Sequence, residues 1–180
     1  MTQNNFGVIK STIQQQAKKG IDFITAGTIV WIGISFIWML DYTPYNKSVI
    51  TFIFGTVMLP LAFGLSKVFK TNWKIKDNPL QPLGLWLNFA QLFYFPLLVF
   101  VLLKQPDYFI MAYAIITGAH FFPYAWFYDE IGYLIAAGII AIGALLIALL
   151  LPQSIYYIPI GTAIILALLA IKIISSNKYL

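Results

Sequence analysis

The sequence predicts an all-α integral membrane bundle of six transmembrane helices, with an N-terminal amphipathic helix lying at the interface. Three observations lead there. First, 61% of the 180 residues are apolar and only 9% are charged, against roughly 45–50% and about 25% in soluble domains. A soluble fold of this size has too little interior for so many apolar side chains, so lipid must solvate many of them. Second, the apolar residues fall into six runs long enough to cross a bilayer, for which about 20 residues are needed. Third, the lysines gather in the connections of one side.

The six runs are 22–41, 48–66, 84–103, 108–127, 131–151 and 155–174. Only the 67–83 connection is long, so consecutive spans are expected to be antiparallel neighbours in one membrane domain covering residues 1–180. An even number of spans puts both termini on one side. That side holds Lys10, Lys18, Lys19, Lys67, Lys70, Lys74, Lys76, Lys172 and Lys178, and the other only Lys47 and Lys104. Lysine excess marks the cytoplasmic side. The expectation is a bacterial cytoplasmic (inner) membrane protein with both termini in the cytoplasm.

Ahead of the first span, "MTQNNFGVIKSTIQQQAKKG" is too polar for the apolar core of a secretory signal and has no small-residue cleavage site. Phe6, Ile9, Ile13 and Ala17 recur at helical spacing, opposite Lys10, Gln14, Gln15 and Lys18. That stripe suits a helix resting on a leaflet. In the long connection Lys67, Lys70 and Lys74 flank Phe69 and Trp73. Anionic lipid headgroups are the expected partner, and they account for the net charge of +5 without nucleic acid. Tyr42, Tyr45, Tyr108, Tyr156 and Tyr157 read as an aromatic belt at the far interface.

Several chemistries are excluded or lack their motifs. There is no cysteine, hence no disulfide, thiol catalysis or thiolate-bound metal. All 11 basic residues are lysines, so bidentate guanidinium recognition is absent. His120 is the only histidine, and no carboxylate stands at ligand spacing beside it. No metal or cofactor is expected. No span carries a nucleophile elbow or a phosphate-binding glycine loop.

Four stretches carry a resemblance: "FGTVMLPLAFGLSKVFKTN" (54–72), "NPLQPLG" (78–84), "NFAQLFYFPLLVF" (88–100) and "GAHFFPYAWFYD" (118–129). They resemble a family of small bacterial multi-span membrane proteins catalogued only as a domain of unknown function. The resemblance implies a six-span bacterial membrane protein and supplies no activity.

Polar residues at depth are the remaining guide to function, because a polar group in hydrocarbon is costly unless partnered. Tyr113, Thr117, His120 and Tyr124 share one face of span 4. Asn88 and Gln91 share a face of span 3, with Gln91 at the depth of His120, about 10 Å in at 1.5 Å per residue. Asp22 and Thr25 stand at the inner mouth of span 1. Asp129 and Glu130 read as solvated turn residues. Pro60, Pro96 and Pro123 each remove a helical hydrogen bond, loosening the carbonyls of Thr56, Leu92 and Ala119. Spans 5 and 6 carry stripes of small residues, Ala137, Ala141, Ala144 and Ala148, then Ala163, Ala167 and Ala170. Such stripes suit close helix packing or a homo-oligomer face, with Ile140 expected to face lipid.

Three roles fit His120. It could join helices through Gln91, Asn88 or Tyr124. It could line a pocket in spans 1–4, with Gln91, Asn88, Thr117, Tyr124, Tyr113, Asp22 and Thr25, that binds or transports a small apolar or lipid-like molecule. Or it could act as acid/base in an enzyme acting on lipid. The pocket is the favoured expectation, and the structural subunit and the enzyme are its rivals.

Overall fold

The computed structural model describes residues 3–177, and side chains over 5–177. Its helices are α1 (Gln3–Gln16), α2 (Ile21–Met39), α3 (Pro44–Gly55), α4 (Met58–Phe69), α5 (Gln81–Leu92), α6 (Phe95–Lys104), α7 (Phe109–Phe127), α8 (Ile131–Leu150) and α9 (Tyr157–Asn177). Among the described residues there is no strand. Together with short 3₁₀ turns these helices form six segments long and apolar enough to cross a membrane: Lys18–Met39, Pro44–Phe69, Gln81–Lys104, Pro106–Phe127, Ile131–Leu150 and Tyr157–Asn177. The chain is a multi-pass membrane protein.

Of the spans that carry Pro60, Pro96 and Pro123, two are broken and one is not. Span 2 divides into α3 and α4, and span 3 into α5 and α6, each near its middle. Pro60 falls in the first turn of α4 and Pro96 in the first turn of α6, where a missing N–H costs nothing. Tight i→i−3 bonds bridge the breaks, from Val57 N–H to Phe54 O (3.1 Å) and from Tyr94 N–H to Gln91 O (3.2 Å). By contrast α7 runs unbroken through Pro123. Span 3 packs little against its neighbours and span 2 leans mainly on α2, whereas α7 is backed along its length by α8.

The core is built by spans 1, 4, 5 and 6. α7 lies on α8, α9 lies on both α2 and α8, and α4 leans on α2. Span 1 is 61% buried over its apolar window and span 3 only 6%, so spans 2 and 3 form the periphery. The small-residue stripe of α8 is used inside the molecule. A Cβ added to Gly118 of α7 would stand 3.0 Å from Ala137 O and Ala141 N. Ala137, Ala144 and Ala148 are buried there. Ile140, expected to face lipid, is 2% exposed, because the α7 contact turns that edge of α8 inward.

The lysine-rich connections meet at one end of the bundle. Lys178 lies outside the described residues. Here α1 packs its stripe on the bundle end: Ile13 is buried, Phe6 sits 6.2 Å from Trp126, and Lys10 stands 4.8 Å over the Trp126 ring. Lys18, Lys19 and Gly20 take positive φ in succession between α1 and α2. Gly20 is required there, since a Cβ would meet Tyr128 at 3.0 Å and the Tyr133 hydroxyl at 3.1 Å.

Glu130 corrects the expectation of a solvated turn. It is 5% exposed, caps the start of α8 by accepting from Gly132 N–H (3.2 Å), and pairs with Lys19 at 3.3 Å and with Lys172. A carboxylate is favoured at a helix N-terminus, and two ammonium groups offset its burial. Asp129 does remain exposed, 3.8 Å from Lys10.

Candidate functional site

The candidate residues separate into three groups. At the contact of α5 with α7, the Gly84 carbonyl is the meeting point. It accepts from Asn88 Nδ2 at 3.0 Å and from the Tyr124 hydroxyl at 3.4 Å. A side chain on Gly84 would strike the Phe127 ring at 3.2 Å, so glycine is what lets this carbonyl approach α7. The His120 ring lies edge-on to Tyr124, 5.2 Å between centroids. His120 and Gln91 are both partly buried. Neither side chain makes a hydrogen bond among the described residues. The contact between His120 and Gln91 that would make them helix glue is therefore not formed.

Further from the lysine-rich end, Thr117 turns its hydroxyl back to Tyr113 O (2.9 Å). Tyr113 stacks on Trp31 at 5.4 Å, and its hydroxyl fills the space left by Gly55, where a Cβ would stand 2.7 Å away. Glycine beside the α3–α4 break thus makes room for the tyrosine. Tyr113 belongs to the packing of spans 1, 2 and 4, while Thr117 stands one turn from His120 on the same helix.

Asp22 forms the third group. It is 1% exposed, and its Oδ2 accepts from the Thr71 hydroxyl and the Trp73 indole N–H, both at 2.6 Å. Oδ1 accepts from Phe23 N–H at 3.0 Å. Among the described residues no lysine pairs with it. Thr25, one turn further in, has a buried hydroxyl with no partner. Asp22 makes no hydrogen bond to His120. An aromatic cluster links the two regions: Tyr124 stacks on Tyr128 at 5.6 Å, and burial, with smaller contributions from Tyr124 and Asp22, pushes the Tyr128 phenol up from its ordinary value.

Thr71 and Trp73 were not singled out by sequence as partners of Asp22. Trp73 between lysines has the signature of an interfacial anchor, and nothing local in the sequence links it to a carboxylate 51 residues away. Glu130 did carry a signal: an acidic residue immediately before an apolar run is a candidate helix cap.

The broken spans shape the space around His120. In the half away from the lysine-rich end, α3 approaches α6. In the other half α4 follows α2 and α5 follows α7, and the backbones of α4 and α5 stay further apart. Few close backbone contacts therefore join α4 to α5, with Asn88 and Gln91 on α5 and His120 on the adjoining α7. A shallow concavity lined by Trp86, Phe89, Leu92 and Phe93 lies near the α5–α6 break, on the face of α5 turned away from Asn88 and Gln91 by helical spacing. A second, lined by Tyr42, Asn46, Val49 and Ile50, lies at the opposite end.

No curated protein and no solved structure matches the chain. The sequence pattern of one family covers residues 6–176, almost the whole chain. The chain therefore belongs to DUF7010, a family of unknown function.

Proposed function

We propose that this protein binds a lipid-like molecule between α4 and α5, with His120 and Gln91 supplying its polar contacts. One observation carries the reading. Two polar side chains at depth are only partly buried, and neither has a hydrogen-bond partner among the described residues. In hydrocarbon such a group costs free energy until something satisfies it. A ligand with an apolar body and a hydroxyl, ester or amide suits a hydrocarbon setting and these two side chains. Imidazole and carboxamide can each donate and accept.

Lysine asymmetry supports an orientation with both termini in the cytoplasm of a bacterium, and Lys67, Lys70 and Lys74 then meet the anionic headgroups of the inner leaflet. The acid/base reading lacks its carboxylate, since Asp22 is held by Thr71 and Trp73.

Melting curves of His120→Gln and His120→Phe, with and without native lipid extract, test the proposal. The Gln variant should fold normally and lose part of the lipid-induced rise in Tm, and the Phe variant should lose all of it. Equal lipid-induced stabilisation in wild type and both variants would refute it.

A further inference from the structure

Span 3 is the least packed of the six, 6% buried over its apolar window, and it is broken near its middle, between α5 and α6. Pro96 denies Leu92 O its helical donor, and among the described residues no backbone N–H bonds to Phe93 O. The break in span 2 is partly covered, since the Tyr113 hydroxyl lies against Gly55. The break in span 3 has no such cover: Leu92, Phe93 and Tyr94 stand 49%, 84% and 53% exposed. The Tyr94 hydroxyl makes no hydrogen bond among the described residues. Irregular backbone facing lipid at this depth has no water to satisfy it, and membrane spans tolerate it only against protein or a water-filled cavity.

We propose that the protein is a homodimer joined at the α5–α6 break of each copy, with the Tyr94 hydroxyls donating across the interface to the carbonyls at the break. Acyl chains carry no donor. A second copy does, and at the right depth. Every copy has the same lysine asymmetry and so inserts the same way round. A two-fold axis along the membrane normal then sets each residue opposite residues of equal depth, and each contact occurs twice. Tyr94 follows Leu92 and Phe93 directly in the chain, so donor and acceptors lie at nearly the same depth. One short stretch therefore supplies both halves of the bond, as a self-complementary patch requires. The apolar surroundings match. Trp86, Phe89, Leu92 and Phe93 line a shallow concavity on this side of α5. Phe93 is the most exposed large apolar side chain among the described residues, and it is placed to enter the concavity of the second copy. The inference does not use the lipid-binding reading, which concerns the other face of α5.

The test measures association of the full chain in liposomes of native lipid. The sequence contains no cysteine, so Lys74→Cys, at an exposed position, can carry one or other of a pair of dyes. Energy transfer between copies is then followed as the protein-to-lipid ratio falls, and it should trace a monomer–dimer equilibrium. Tyr94→Phe keeps the ring and removes the hydroxyl. Two-fold symmetry deletes two interhelical bonds at once, so the dissociation constant should rise about tenfold. Phe93→Ala should raise it as well. Ile139→Ala, exposed on α8, should leave it unchanged. Tyr94 is exposed in the single chain, so its variant should fold as the wild type does. Monomers at every ratio, an affinity untouched by Tyr94→Phe, or an equal loss with Ile139→Ala would overturn the dimer.

Discussion

Gly118→Ala is expected to push α7 from α8, and the size of the effect follows from geometry. The new methyl would stand 3.0 Å from Ala137 O and Ala141 N and 3.1 Å from Ile140 Cβ. Two of those atoms are backbone, so relief needs a shift of a whole helix. Overpacking of this kind costs about 1–3 kcal/mol. The same substitution also improves helix propensity, by up to about 1 kcal/mol. Gly143→Ala in α8 isolates that second effect, because a Cβ there meets nothing within 4 Å. Subtracting one variant from the other cancels the helix contribution and leaves the packing cost, about 1–3 kcal/mol against Gly118→Ala. Reversible unfolding by sodium dodecyl sulfate from mild-detergent micelles measures the difference. Equal stabilities for the two variants would refute the close α7–α8 contact.

Other perturbations follow from the same contacts. Glu130→Gln should cost on the order of 3 kcal/mol in that titration by stranding the buried Lys19 ammonium, and Lys172→Met should cost less, because the Lys172 side chain is 46% exposed. A silent Glu130→Gln would contradict the ion cluster. Burial raises the Tyr128 phenol above its usual value of 10.0, so its contribution to stability is complete below that pH and is lost as pH rises past it. Tyr128→Phe should therefore soften the alkaline loss of Tm, and an unchanged alkaline profile would count against it. Cysteines replacing Lys47 or Lys104 should react with impermeant reagents on whole cells while one replacing Lys74 does not, and the reverse pattern would invert the proposed orientation.

The six spans were legible because hydropathy is a property of the local sequence and each run is close to the thickness of a bilayer. The helix breaks were half legible. Proline removes a bond wherever it sits, but the helix parts at Pro60 and Pro96 and runs on at Pro123, where α8 backs it. The small residues of α8 announced a close approach without naming the partner, which is α7. Least legible were the carboxylates. Asp22 and Glu130 find their partners 51 and 111 residues away in sequence, and no periodicity encodes such meetings. Facing and depth brought His120 and Gln91 to the same region in the sequence reading. What it could not supply was that the two side chains stop short of bonding to each other.

A lipid-like molecule held between α4 and α5 against His120 and Gln91 is the reading most in need of a direct test. An experimental density map of the full chain in nanodiscs of native lipid supplies it. Elongated density is expected between α4 and α5, with a polar end within hydrogen-bond reach of the imidazole or the Gln91 amide. His120 bonded to Gln91, with no density between α4 and α5, would refute it.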